Sequence, residues 1–184
     1  MTQRVSKAID AFLDALNENR LDIASTCGCA VGTLLREGML EKHAEKYTIC
    51  HDELYLKECS PSLPVNNSIW IKCFITATKT PISTPEENEV IVRDGDVKSQ
   101  TKFTGAEAMK IKAQILPLVD FSEEELMQIE WAFETANGPD TYIYTREARI
   151  KALEAAVAVM LTFDEDTTTD VKEVFTSKAE LISA

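Results

Sequence analysis

The sequence predicts an α+β fold: a predominantly helical single domain over residues 1–184, with a small antiparallel β-hairpin or sheet in the middle, at about residues 69–103. Two observations favour this class. Apolar residues recur with helical spacing towards both ends of the chain, whereas the middle alternates and contains a hairpin-type turn. With 184 residues and 45% hydrophobic content, the chain is also long enough to bury a substantial core.

Two helices are expected in the N-terminal part of the chain. Residues 3–17 carry an apolar stripe at helical spacing, which predicts the first. The second is expected to start near Ser25-Thr26 and to continue to about Met39. Residues 41–59 show no clear periodicity.

The middle of the chain changes from helical spacing to alternation. Residues 69–76 alternate and predict one strand, and Glu89–Arg93 predicts another. Asp94-Gly95 follows directly, and Asp-Gly is a strong signal for a two-residue hairpin turn, so a return strand toward Phe103 is expected. Thr104 and Glu107 then form a capping-box pattern that opens a helix ending before Pro117.

The central helix lies within residues 121–139, where Gly138 and Pro139 provide a helix end. Met127 and Trp131 point away from its main apolar stripe, so the sequence predicts a helix with neighbours on both sides. The residues expected on the buried face are Leu126, Ile129, Ala132, Phe133 and Ala136.

Two further helices are expected near the C-terminus. Residues 145–163 combine a possible Thr145 cap with many alanines and an apolar stripe, and residues 170–182 predict a weaker helix. The acidic linker from Asp164 to Asp170 does not match a calcium-binding EF-hand loop, because Thr169 occupies the position that requires glycine.

Charge argues against nucleic acid as a partner. The net charge is −12, and residues 120–184 contribute 15 acidic and 5 basic side chains to it. Such a field opposes binding to phosphate backbones, so nucleic acid is not expected as a ligand. A solvated acidic surface is the simplest interpretation of this charge, ahead of a dedicated docking face.

A cytoplasmic protein without membrane association is expected. No apolar run approaches the roughly 20 residues that span a bilayer. The first twenty residues contain Asp10, Asp14 and Glu18, which are not typical of a signal peptide. Five cysteines without a secretion signal predict reduced thiols.

Cys29 is the strongest of the weak candidates for chemistry. It lies in the segment TCGCAVG near the expected start of the second helix, where a thiol can have a lowered pKa and act as a nucleophile or redox group. His43 or His51 could be its partner. The alternative is that Cys29 is a small buried hydrophobic residue and that Cys27 is an incidental loop thiol.

A zinc site is a second possibility, with Cys27, Cys29, Cys50 and His51 as its candidate ligands. Zinc needs four ligands in a tetrahedron. The spacing matches none of the common paired-ligand templates, so no metal and no other cofactor is expected. The remaining residues of suitable type are His43, Cys59 and Cys73.

Three segments together resemble a group of small uncharacterised bacterial and phage-associated proteins. They are CGCAVGTLL, SEEELMQIEWAFE and ALEAAVAVMLTFDED, and they cover about a third of the chain. The resemblance implies that residues 27–35, 122–134 and 152–166 belong to one fold. It implies no activity and assigns no catalytic residue.

No motif assigns an activity, and the sequence favours a soluble acidic cytoplasmic protein that binds or assembles with other proteins and has no catalysis of its own. Trp131 and Met127 are the candidate interface, because aromatic and methionine side chains on a charged helix face suit an interface core. A partner protein and self-association both remain open, as does coverage of Trp131 by the same chain. The competing classes are a cysteine-dependent enzyme or thiol switch centred on Cys29 and a zinc-stabilised module.

Overall fold

The computed structural model describes residues 1–21, 29–42, 47–50, 53–56, 74, 89–93, 100–139 and 145–176. In chain order the elements are helix α1 (Gln3–Asn17), helix α2 (Ala30–Lys42), strands β1 (Tyr47–Cys50), β2 (Glu53–Leu56), β3 (Glu89–Arg93) and β4 (Gln100–Thr104), helix α3 (Gly105–Ile115), a 3-10 turn (Leu116–Leu118), helix α4 (Glu123–Thr135), helix α5 (Arg146–Phe163) and helix α6 (171–176).

The chain divides into two compact units. The first combines Met1–Leu34 with Glu124–Ala184, and the second is Leu35–Glu123. The single domain expected from the sequence stays a prediction, because a compact unit is not by itself a domain that folds alone.

In the first unit, α1 and α5 pack side by side and run antiparallel. At one end Arg149 of α5 donates to the Asn19 side chain, which follows α1, at 2.9 Å. At the other end Arg4 of α1 donates through Nε to Asp164, which follows α5, at 2.9 Å. The apolar stripes of both helices are buried between these polar ends, and the predicted helix over residues 3–17 is confirmed.

Several predicted helix ends are confirmed, and each has a local physical cause. The Thr145 hydroxyl accepts a hydrogen bond from the Ala148 N–H at 3.1 Å and caps α5. After α4, Gly138 adopts a left-handed φ of 70°, which glycine tolerates without a steric penalty. Asp170 accepts from the Lys172 N–H at 2.9 Å and begins α6.

The second unit contains the strand pairs and α3. The capping box predicted at the start of α3 is confirmed: the Thr104 hydroxyl accepts from the Glu107 N–H at 3.1 Å, and the Glu107 carboxylate accepts from the Thr104 N–H at 2.9 Å. Gly38 of α2 lies against the turn after α3. A Cβ at position 38 would lie 2.3 Å from the Leu118 carbonyl oxygen, so this position requires glycine.

The predicted fold class, α+β with a hairpin or sheet at about residues 69–103, is wrong, because the chain is mostly helical. Phe74, which the alternation places on a strand, is helical and completely buried. The described strands form no larger sheet but two separate two-stranded ladders, β1 with β2 and β3 with β4. Alternation misleads at Phe74 because periodicity over a short apolar run does not by itself separate a strand from a buried helix.

Two finer expectations are also corrected. Arg93 pairs with Gln100, and a two-residue turn at Asp94-Gly95 would pair it with Asp96 instead, so the expected turn is wrong. Residues 94–99 themselves lie outside the described residues. Helix α2 begins at Ala30, not near Ser25-Thr26. The groups that fix this start, described below, include a carboxylate from a distant helix, which local sequence does not reveal.

No helix among the described residues combines the length and the apolar character needed to cross a bilayer.

Candidate functional site

Helix α4 has a fully buried face in the first unit. Leu126, Ile129 and Phe133 are each 0% exposed, which confirms the prediction that this stripe is core. A charged residue lies among them: Glu130 is 1% exposed. A buried carboxylate is costly unless hydrogen bonds compensate its lost hydration, so the donors around Glu130 decide its role.

Glu130 contacts the beginning of helix α2. Its Oε2 accepts a hydrogen bond from the Val31 backbone N–H at 2.8 Å. The first N–H groups of a helix have no partner within the helix and lie at the positive end of its dipole, so a carboxylate is well placed there. Glu130 therefore joins α4 to the N-terminus of α2 through a buried hydrogen bond.

Glu130 was not predicted to be a buried polar residue, although its helical spacing indicates that it is. Position 130 is four residues after Leu126 and three before Phe133, so helical spacing places it on the buried face. A glutamate on such a face predicts a buried carboxylate in need of donors. The spacing does not reveal that Val31 supplies one of them, because that contact joins distant parts of the chain.

Cys29 lies at the same end of α2, and its sulfur and carbonyl oxygen both accept hydrogen bonds from the first turn of that helix. Its sulfur accepts from the Gly32 N–H at 3.4 Å, and its carbonyl accepts from the Thr33 N–H at 3.0 Å and the Thr33 hydroxyl at 2.9 Å. The side chain is a buried thiol, with only 2% of the residue exposed. A substrate could not reach the sulfur without local opening of the fold.

The structure does not assemble the other predicted chemical residues around Cys29. Cys27, His43 and His51 lie outside the described residues, as do Cys59 and Cys73. Cys50 lies on β1, where its Cα pairs with that of Glu53. Within the described part of the chain, no three His, Cys, Asp or Glu side chains are grouped to hold a metal ion.

The opposite face of α4 is exposed and has Trp131 at its centre. Trp131 is 69% exposed, the largest value among the exposed large hydrophobic residues described. Glu124, Gln128 and Thr135 are exposed on the same side, and Met127 is half-buried. We call Glu124, Met127, Gln128, Trp131, Glu134 and Thr135 the Trp131 face.

The backbone beneath Trp131 is well ordered by hydrogen bonding. Thr135 lies one helical turn after Trp131, and its hydroxyl donates a hydrogen bond to the Trp131 carbonyl at 2.8 Å. The exposed tryptophan therefore stands on a regular helix whose other side is anchored in the core. The prediction that Trp131 points away from the buried stripe is confirmed, but the prediction of a neighbour on that side is wrong at Trp131, which is 69% exposed. Its role in an interface stays a prediction.

A second polar cluster joins α1, α4 and the end of α5. The Arg4 guanidinium donates to both carboxylate oxygens of Glu125, at 3.1 and 3.2 Å, as well as to Asp164. The hydrogen bond from Arg4 holds the pKa of Asp164 below its ordinary value of 3.8. The same contact raises the pKa of Arg4, so the ion pair persists across neutral pH.

Asp166 organises the turn that follows. Its carboxylate accepts from the Thr169 hydroxyl at 2.7 Å and from the Thr168 N–H at 2.9 Å. These hydrogen bonds, that from Thr169 above all, lower the pKa of Asp166. The acidic linker is thus a hydrogen-bonded connection between α5 and α6, in agreement with the interpretation that it is no EF-hand.

No protein-family model, curated protein or solved structure matches this chain significantly.

Proposed function

We propose that this chain is a protein-binding or assembly protein that contacts its partner through the Trp131 face. The observation that supports the proposal is the 69% exposure of Trp131 in the middle of a helix whose other face is fully buried. Tryptophan is among the residues that contribute most to binding energy when a partner buries them. A rigid helix presents such a side chain at little entropic cost on binding.

The neighbours of Trp131 support the same function. Met127 lies one turn before Trp131 and extends the apolar area, while Gln128 and Thr135 provide polar edges. An apolar centre with a polar rim is the usual composition of a protein interface. Burying the indole against a partner removes apolar surface from water, which is the main favourable contribution to association.

The proposal assigns Cys29 a structural role and assumes no catalysis. What supports this is the 2% exposure of Cys29 and the use of its sulfur within the first turn of α2. A nucleophilic thiol needs access to its substrate and an activating neighbour. At 2% exposure the Cys29 thiol does not have this access in the described fold.

Site-specific photo-crosslinking tests the proposal. A photoreactive phenylalanine analogue is placed at position 131 and, as a matched control, at position 109, since Met109 is also exposed, at 47%. Both proteins are irradiated in cells of the organism that encodes the chain. We expect a discrete protein adduct that forms from position 131 and not from position 109.

The captured protein is then purified and titrated against the parent chain, Trp131→Ala and Met109→Ala. We expect Trp131→Ala to weaken binding by about tenfold or more, and Met109→Ala to leave it unchanged. Equal affinity of all three chains, or the absence of an adduct specific to position 131, would refute the proposal.

A further inference from the structure

We propose that Asn137 is a modification site, at which the side-chain amide cyclises onto the Gly138 nitrogen and releases ammonia, and that two hydrogen bonds of the folded chain restrain this reaction. The inference goes beyond the proposed function and does not depend on it, because it concerns the turn after α4 and not the Trp131 face. It follows from the residue types at this turn and from the partners of the two reacting groups.

The sequence at this turn is chemically reactive. Asn137-Gly138 is the only Asn-Gly pair in the chain. The Gly138 nitrogen can attack the side-chain carbonyl carbon of Asn137, because a five-membered ring results and glycine has no Cβ to hinder the approach. A bond forms between these two atoms, the bond to Nδ2 breaks, and the Gly138 amide proton leaves with Nδ2 as ammonia. Water then opens the ring at either carbonyl, which gives aspartate or isoaspartate.

The turn is accessible to the water that this reaction needs. Helix α4 ends at Thr135, and Gly138 beyond it has a left-handed φ of 70°. Gly138 is exposed, and Asn137 is half-buried. The reactive pair therefore lies outside the regular hydrogen bonding of α4 and at the surface of the first unit.

Both reacting groups have a hydrogen-bond partner in the folded chain. Asn137 Nδ2 donates to the Ala148 carbonyl in the first turn of α5 at 2.9 Å. The Gly138 N–H donates to the Thr135 carbonyl at 3.1 Å. The first bond holds the leaving group against α5, and the second engages the nitrogen that must attack. Because ring closure requires both to open, its rate should follow the fraction of chains in which this turn is open.

The product cannot restore the contact with α5. An ionised carboxylate accepts hydrogen bonds and donates none, so aspartate at position 137 would place an acceptor opposite the Ala148 carbonyl oxygen. Isoaspartate also lengthens the backbone by one methylene group. Modification therefore removes the hydrogen bond between the turn after α4 and the first turn of α5, and makes its loss irreversible.

Mass spectrometry of the full-length chain tests the inference. The parent chain is incubated at neutral pH in buffer and in guanidinium chloride, and exchange of the Asn137 amide for a carboxyl group is followed with time. Thr145→Ala removes the hydroxyl that accepts from the Ala148 N–H, and so loosens the first turn of α5. Thr104→Ala removes the equivalent cap of α3 and is the matched control.

We expect conversion of the parent chain to be about tenfold or more faster in guanidinium chloride than in buffer, since the unfolded chain has neither hydrogen bond. In buffer, Thr145→Ala should convert several-fold faster than the parent, and Thr104→Ala should convert at the parent rate. The converted chain, separated from the parent, should exchange the amide hydrogens of the first turn of α5 faster than the parent does.

Three results would overturn the inference. Equal rates in buffer and in guanidinium chloride would show that the fold does not restrain the reaction. No conversion in either would show that Asn137 is not a modification site. A Thr145→Ala chain that converts no faster than Thr104→Ala would show that the contact with α5 does not control the rate. The first two results need only the parent chain, so they decide the inference even if Thr145→Ala does not fold.

Discussion

Glu130 and Trp131 are adjacent in the sequence and have exchanged the environments usual for their types. The glutamate is 1% exposed, and the tryptophan is 69% exposed. Charged residues are rarely buried without partners, and a large exposed apolar side chain requires an explanation more often than a small one. The two faces of α4 therefore need different explanations, one for a buried carboxyl group and one for an exposed indole.

The buried face is explained within the chain. Glu130 accepts a hydrogen bond from the Val31 N–H, so its burial contributes to the fold by stabilising the start of α2. The exposed face has no such explanation in the described fold, and the proposed function would supply one. The comparison yields three predictions, in which variants of the buried face lower the free energy of unfolding and the variant of the exposed face does not. A fourth prediction concerns Asp164, whose ion pair with Arg4 lies beside α4.

The largest effect is expected for Phe133→Ala. Phe133 is completely buried in the α4 stripe, and its truncation leaves a cavity. The free energy of unfolding should fall by about 3–5 kcal/mol. Urea denaturation followed by circular dichroism measures it, with Trp131→Ala as the matched aromatic-to-alanine control. A Phe133→Ala chain as stable as the parent would show that the buried face is misassigned.

Glu130→Ala is expected to cost about 2–3 kcal/mol, because it removes a charged acceptor and leaves the buried Val31 N–H without it. Glu130→Gln keeps an acceptor oxygen of the same reach and should recover part of this loss. Both are measured by the same denaturation experiment. Glu124→Ala, an exposed glutamate of the same helix, should change the free energy of unfolding by no more than about 0.5 kcal/mol. Equal effects at positions 124 and 130 would contradict the structural role of Glu130.

The sequence predicted the helices better than their environment, and the reason is visible at particular residues. Local patterns determine the Thr104 and Thr145 caps and the glycine that ends α4, and these predictions are confirmed. The helical state of Phe74 and the start of α2 at Ala30 were missed. Local spacing cannot distinguish a buried helix from a strand at Phe74, and at Ala30 the carboxylate of Glu130 comes from a distant helix.

The candidate site was also predictable only in part from the sequence. Helical spacing separates Trp131 from the buried stripe, so its position on the opposite face follows from the sequence. Its position at the centre of an acidic face also follows, because the glutamates lie at fixed helical intervals. What the spacing could not exclude was coverage of Trp131 by another segment of the chain, which only a three-dimensional structure decides.

A smaller loss in the free energy of unfolding is expected for Asp164→Asn, and this loss should depend on pH. Its pKa in the folded chain is lowered from the ordinary value of 3.8, first by the hydrogen bond from Arg4. A carboxyl whose pKa is lower in the folded than in the unfolded state stabilises the fold above the unfolded pKa. This contribution is lost as pH falls through the folded pKa. Asp164→Asn should therefore cost about 1 kcal/mol at pH 7, and the cost should shrink below about pH 4.

Denaturation of the parent and Asp164→Asn at pH 7, 5, 4 and 3 checks this dependence. The difference between the two chains should be constant from pH 7 to 5 and decrease from there to pH 3. Glu124→Gln, which removes an exposed charge from α4, is the control and should show no such trend. A difference that stays constant down to pH 3 would show that Asp164 contributes through shape alone.

The smallest effect on the fold is expected for Trp131→Ala, the substitution that matters most for binding. Most of the indole is exposed in the folded chain, so its removal should alter the free energy of unfolding by no more than about 0.5 kcal/mol. The chain should keep its helix content, and its melting temperature should stay within a few degrees of the parent value. A loss comparable with that of Phe133→Ala would mean that Trp131 is covered within the chain. The contrast between Glu130 inside and Trp131 outside would then disappear, together with the residue on which the proposed interface depends.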